Sequence, residues 1–155
     1  VVSGPDGFHA FNHGDDMIQE KVVGREYNID ILNDLEGNFV HCCAKEKLTM
    51  RAGETDKSRI INSAPLGELA RSISATFRHA GNLDVDVMED RAGNLFCIDF
   101  NPRFGGGYPT THLAGLTYLK AILDMADGRQ VSEFAPPKPL TLMKGISLHT
   151  FEVAP

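Results

Sequence analysis

The chain has 155 residues, of which 42% are hydrophobic and 23% charged, with a net charge of −6 at neutral pH. That suits one globular domain with a sizeable core and excludes a nucleic-acid binder of the basic-stripe kind. No apolar run approaches the ~20 residues that span a bilayer. Val1-Val2-Ser3-Gly4 has neither the basic region nor the apolar region of a secretory signal, and with no initiator Met the chain reads as cut from something longer. The three cysteines have no disulfide-framework spacing and suit reduced thiols in the cytoplasm. The six histidines show no metal-ligand spacing.

Val1 to Asp16, rich in Gly, Asp and Asn, reads as a loop. Met17 to Val23 has strand character and breaks at Gly24-Arg25. Glu26 to Asn33 alternates, with Tyr27, Ile29 and Ile31 on one side and Glu26, Asn28 and Asp30 on the other, which predicts a half-buried strand. Asp34 to Asn38 is a turn with Gly37 where φ is positive. Phe39 to Ala44, continuing to Met50, is the return strand, on which Cys42 and Cys43 face opposite ways. Arg51 to Ser58 is polar and reads as a functional loop. Ser63 and Pro65 open a helix with Leu66, Leu69, Ile73 and Phe77 as its buried face and Gly81 as its stop.

Leu83 to Glu89 and Leu95 to Asn101 are strands joined by the turn Asp90 to Asn94, and Pro102 ends the second. Gly105 to Gly107 is a flexible loop. Thr110 or Thr111 caps a second helix with Leu113, Leu116, Ile122 and Met125 as its apolar positions, ending at Gly128. Pro136-Pro137-Lys138-Pro139 is a spacer, and Leu140 to Val153 holds one or two edge strands. Mixed helices and antiparallel hairpins place the chain in the α+β class, an antiparallel sheet flanked by two main helices.

The hairpin Leu83 to Arg103 carries the chemistry. With Arg91 to Asn94 as its loop, Asp90 pairs with Leu95, Asp86 falls opposite Asp99, and Asp84 opposite Asn101. Period-two alternation then puts Asp84, Asp86, Asp99 and Asn101 on one face, and Val85, Val87, Phe96, Ile98 and Phe100 on the other. Carboxylates opposed at ~5 Å repel each other. A hard divalent cation such as Mg²⁺ relieves this, because it takes oxygen ligands from one or two carboxylates and from phosphates. Arg103 is placed to neutralise phosphate charge. The alternative is an acidic face splayed into water.

The run Asp99-Phe100-Asn101-Pro102-Arg103-Phe104-Gly105-Gly106-Gly107 closely resembles the E-x-N-P-R-x-G-G-G metal-binding segment of ATP-grasp enzymes, in the flavour of carbamoyl-phosphate synthase large-subunit-like proteins, with Asp99 where Glu is usual. Val85-Asp86-Val87-Met88 looks like the family's first metal-bearing strand. Ile18 to Asp30 is similar to its hinge strand and the G-x-E that follows.

By that resemblance the chain is the C-terminal half of an ATP-grasp domain. Asp86, Asp99 and Asn101 carry Mg²⁺ (or Mn²⁺), and Arg103 is the catalytic phosphate contact. Backbone of Glu20 and Val22 pairs with adenine, and Glu26 holds the ribose hydroxyls. Arg51 or Lys57 meets substrate or phosphate, and Ser3 to Phe8 is the tail of a glycine-rich lid. Residues 1–16 would be lid tail or linker, 17–130 the subdomain, and 131–155 an extension with edge strands. ATP would lie against an N-terminal subdomain outside this chain. The reaction implied is ATP-dependent activation of a carboxylate or bicarbonate as acyl-phosphate for attack by an amine, in a cytoplasmic protein with no nucleic-acid or membrane partner. A non-catalytic nucleotide-binding or assembly module is the alternative.

Overall fold

The computed structural model describes residues 19–145 and residue 150. Strands β1 (Gly24–Asn33), β2 (Phe39–Arg51), β3 (Glu54–Ile61), β4 (Gly81–Asp90), β5 (Leu95–Asn101) and β6 (Thr141–Met143) form one antiparallel sheet in the order β5-β4-β1-β2-β3-β6. Helix α1 (Ala64–Phe77) lies on one face, and α2 (Tyr108–Leu113) and α3 (Tyr118–Ala126) belong to the other. The class is α+β, as the mixed pattern implies.

Alternation on β1 and β4 decides the layers. Tyr27, Ile29, Ile31, Leu83, Val85 and Val87 turn to α1 and meet Leu66, Ala70 and Ile73. On the opposite face the buried apolar cluster lies at one end, where Leu32 and Cys43 meet Leu116, Tyr118 and Ala121. β1 is therefore buried on both sides and not half-buried: Asn28, Asp30 and Leu32 are as enclosed as the isoleucines between them.

Several local expectations need correction. The polar stretch Arg51 to Ser58 is a tight hairpin, not a loop. Ala52 and Gly53 have φ of 50° and 81°, and β3 starts at Glu54. Two successive positive φ values match the twist of the flanking strands, and glycine supplies one without strain. Helix α1 ends one turn before Gly81: Arg78 takes the left-handed cap at φ 48°, and Gly81 opens β4. Phe77 does not reach the core; it is exposed and packs on Phe100 at 5.1 Å between ring centroids. The single helix expected to end at Gly128 is two, because the chain turns at Gly115 (φ 99°). Thr110 and Thr111 lie inside α2 and do not cap it; Leu113 is exposed while Leu116 is buried in the connection. Gln19 to Val23 is in no strand. The expected loop Val1 to Asp16, Met17 and Ile18 lie outside the described residues, as does most of the stretch beyond β6.

Candidate functional site

The acidic hairpin folds with the register that matters, by an unexpected route. Near the turn Glu89, not Asp90, pairs with Leu95, and Val87 with Cys97. A bulge then shifts β5 by one residue, so Asp86 faces Asp99, Val85 faces Phe100, and Asp84 faces Asn101. The extra residue of a bulge changes which side chains share a face. Leu95 and Cys97, not Phe96 and Ile98, accompany Val85 and Val87 toward α1. Phe96 opposes Met88 and is exposed, as is Ile98.

The acidic face floors a cleft of about 520 Å³. Its walls are Phe104 to Gly107 on one side, and Met50 with Gly53 to Thr55 of the β2–β3 hairpin on the other. Asn28 on β1 stands between two carboxylates: Nδ2 donates to Asp84 Oδ1 at 2.6 Å and to Asp86 Oδ1 at 2.8 Å. Ionised carboxylates only accept, so the amide is held with its NH₂ toward them, and its Oδ1 is buried without a partner. Burial pushes the Asp84 carboxyl above the usual range, against the Asn28 hydrogen bond.

Lys47 on β2 contacts Glu26 Oε1 and Asp86 Oδ2, each at 2.8 Å, with its side chain 5% exposed. Burial opposes its charge, but these two carboxylates outweigh burial and raise its pKa. On β5, Asn101 Nδ2 donates to Asp99 Oδ2 at 2.8 Å, and Arg103 Nη2 donates to Asn101 Oδ1 at 3.1 Å. The Arg103 side chain is 60% exposed, and its Nη1 stands 4.0 Å from Asp84.

The glycine-rich wall has a steric cause. A Cβ on Gly105 would come within 2.2 Å of Asp84 Oδ2, so the backbone passes where no side chain fits. Beneath the loop, Lys45 and Asp30 form an ion pair with both side chains fully buried. Thr111 of α2 joins it, donating to Asp30 Oδ2 at 2.5 Å and lying 2.9 Å from Lys45 Nζ. Ser58 Oγ meets Thr110 Oγ1 at 2.7 Å.

The structure gathers Asp86, Asp99, Asn101 and Arg103 in the cleft, with Glu26 joined to them through Lys47. Glu20 and Val22 line a neighbouring pocket of about 530 Å³ with Met88, Phe96 and Ile98. Met88 is two residues from Asp86 on the same face of β4, about 7 Å along the strand, which sets this more apolar pocket beside the acidic cleft. Arg51 and Lys57 are not among the residues that line the cleft; Arg51 pairs with Asp56 at 2.9 Å. Sequence reasoning missed Asn28, Lys45 and Lys47. Their only signal was position: polar residues on strands whose pairing puts them beside acids.

Asp86, Asp99 and Asn101 offer the hard oxygen donors that Mg²⁺ prefers. Among the described residues no three His, Cys, Asp or Glu side chains converge on one metal position. A cation here would draw its remaining ligands from added oxygens, as Mg²⁺ does with phosphates.

Solved structures of similar fold include pyruvate carboxylase T882A of Rhizobium etli with acetyl coenzyme A (22% identity, TM-score 0.59, 69% of this chain and 12% of that one). The biotin carboxylase domain of Hydrogenobacter thermophilus 2-oxoglutarate carboxylase, in complex with MgADP, ADP and bicarbonate, is another (16%, 0.56, 69% and 25%). A third is N5-carboxyaminoimidazole synthetase of Staphylococcus aureus with ADP (12%, 0.60, 72% and 32%). The chain thus spans a third or less of the length of each of these. The fold is that of an ATP-grasp subdomain. The family described as "ATP-grasp in the biosynthetic pathway with Ter operon" matches residues 13–147, most of the chain, and the chain belongs to that family. No curated protein matches it. Among the described residues no helix is long and apolar enough to cross a membrane.

Proposed function

We propose that this chain is the C-terminal, nucleotide- and Mg²⁺-holding half of an ATP-dependent ligase that activates a carboxylate or bicarbonate for attack by an amine. The observation that carries the reading is the floor of the cleft: Asp86 opposite Asp99, next to Asn101 and Arg103, under a glycine-rich wall. The MgADP and bicarbonate named for the Hydrogenobacter thermophilus structure support this choice of ligands.

Asp86, Asp99 and Asn101 would hold Mg²⁺, which would offset phosphate charge during phosphoryl transfer. Arg103, tethered through Asn101, carries a fixed positive charge to the transferred phosphoryl group. Glu26 has a second carboxylate oxygen free of Lys47 with which to accept from ribose hydroxyls. Backbone C=O of Glu20 and N–H of Val22 would pair with the adenine edge in the pocket that Met88, Phe96 and Ile98 line. The substrate carboxylate attacks the γ-phosphorus and ADP leaves. The amine then displaces phosphate from the acyl-phosphate, so no side-chain nucleophile is required. An N-terminal subdomain would cover the other side of the nucleotide.

The test is ADP release by the full-length protein with Mg²⁺-ATP and pooled carboxylates, bicarbonate and amines. Release that depends on an acid and an amine, and drops at least about a hundredfold in Asp99→Asn, is expected. Tight nucleotide binding with no release from any pool would leave a non-catalytic binding module.

A further inference from the structure

The Lys47 ammonium has no place in the reaction just described, yet it sits at the centre of the site. It bridges the carboxylate proposed for the nucleoside and one proposed for the metal, 2.8 Å from each, nearly shut off from solvent. Asp86 Oδ1 accepts from Asn28 and Oδ2 from Lys47, so a cation arriving at Asp86 meets an ammonium already in contact with the carboxylate. A divalent cation on that carboxylate would stand about 4 Å from the ammonium in a poorly solvated cleft, and like charges at such spacing repel strongly.

We propose that Lys47 is an internal counter-cation that occupies the divalent cation's position on Asp86 and must withdraw from it for the metal to bind. The inference rests on Asp86 being a metal ligand, as proposed above. Lys47 is then a positioning residue with two partners. Glu26 keeps its ammonium after displacement, so the carboxylates stay neutralised in both states. The two ends of the cleft are joined by one side chain: a metal that takes Asp86 drives Lys47 onto Glu26, and whatever engages Glu26 changes the hold of Lys47 on Asp86. Such coupling is reciprocal by necessity.

The test is Mn²⁺ binding to the full-length protein without nucleotide but with pyrophosphate, which supplies phosphate oxygens while leaving Glu26 unengaged, followed by water-proton relaxation and by the rise in thermal midpoint that Mn²⁺ produces. Removing Lys47 alone also removes a charge, so the informative variant is the pair Lys47→Met with Glu26→Gln, which leaves net charge unchanged but frees Asp86. Mn²⁺ should bind this double variant about fivefold more tightly than wild type, the scale of one partly buried ion pair. Affinity equal to or below wild type overturns the inference, since a long-range charge effect cancels in that variant. Circular dichroism establishes that the double variant is folded; if it is not, Lys47→Gln with Glu26→Gln is read by the same criterion. Asp86→Asn separates the two readings. If it binds Mn²⁺ as wild type does, or if wild type binds none, the proposed metal site is wrong; if it loses binding while the double variant gains nothing, only the role of Lys47 is wrong.

Discussion

His41 is half-buried between aromatic rings, with Tyr118 Oη 2.6 Å from its Nδ1 and Phe134 4.9 Å away between centroids. Burial, helped by the Arg71 charge, pushes its pKa below the ordinary 6.5. The folded state therefore binds fewer protons than the unfolded state between the depressed pKa and 6.5. Stability falls as pH falls through that window, and the His41 contribution is fully present above 6.5. In His41→Phe the loss of the Tyr118 hydrogen bond is a constant offset. Urea unfolding of both forms from pH 7.5 to 5 should show the wild type losing more stability on the acid side; parallel curves would refute this account. The alternating pattern of β2 did not announce this pairing, because Tyr118 is far along the chain and its contact depends on α3.

Each element is defined by what locks it to its neighbours. Six-residue α2 is too short to stand on propensity. What fixes it is Thr111 on the buried Lys45–Asp30 pair and Thr110 on Ser58, which tie it to β1, β2 and β3 and so set the glycine-rich wall above Asp84. Breaking a buried pair leaves an uncompensated charge, whereas replacing both members is much milder. Lys45→Met should therefore cost about 3–5 kcal/mol, and adding Asp30→Leu should restore most of it. Equilibrium denaturation of the single and double variants measures this; equal losses in both would mean that the pair is not a unit. At this scale the turns were legible. Asp34 and Asp90 each accept from the backbone N–H two and four residues on, the signature that the repeated D-x-x-G-N spelling carries. The β5 bulge was not legible, since nothing local distinguishes Ile98 from its neighbours.

At the scale of the whole molecule, one sheet face is packed on α1 and the other is divided between a small apolar cluster, an acidic cleft and an apolar pocket beside the cleft. The proposed ligand, a nucleoside triphosphate with a divalent cation between its phosphates and the carboxylates, fits that division. A ligand that binds only the folded state stabilises it by about 2.7 kcal/mol at a hundred times its dissociation constant. The thermal midpoint of the full-length protein should then rise by several degrees with saturating Mg²⁺-ATP, and not in Asp86→Asn. A rise that survives that variant would place the nucleotide elsewhere.

The sequence by itself determined the α+β class, the strands either side of both D-x-x-G-N turns, and the motif Asp99 to Gly107, because alternation, turn chemistry and glycine placement are local. It also put Asp86 opposite Asp99, although by a register that was right only beyond the bulge. The tertiary structure alone decided that Asn28, Lys45 and Lys47 belong to the site. Their neighbours arrive from strands tens of residues away in sequence, and only the strand order β4-β1-β2 brings amide, ammonium and carboxylate onto one face. It decided too that Arg51 stands beside Asp56 and outside the cleft, since a two-residue hairpin, not a long loop, carries it there.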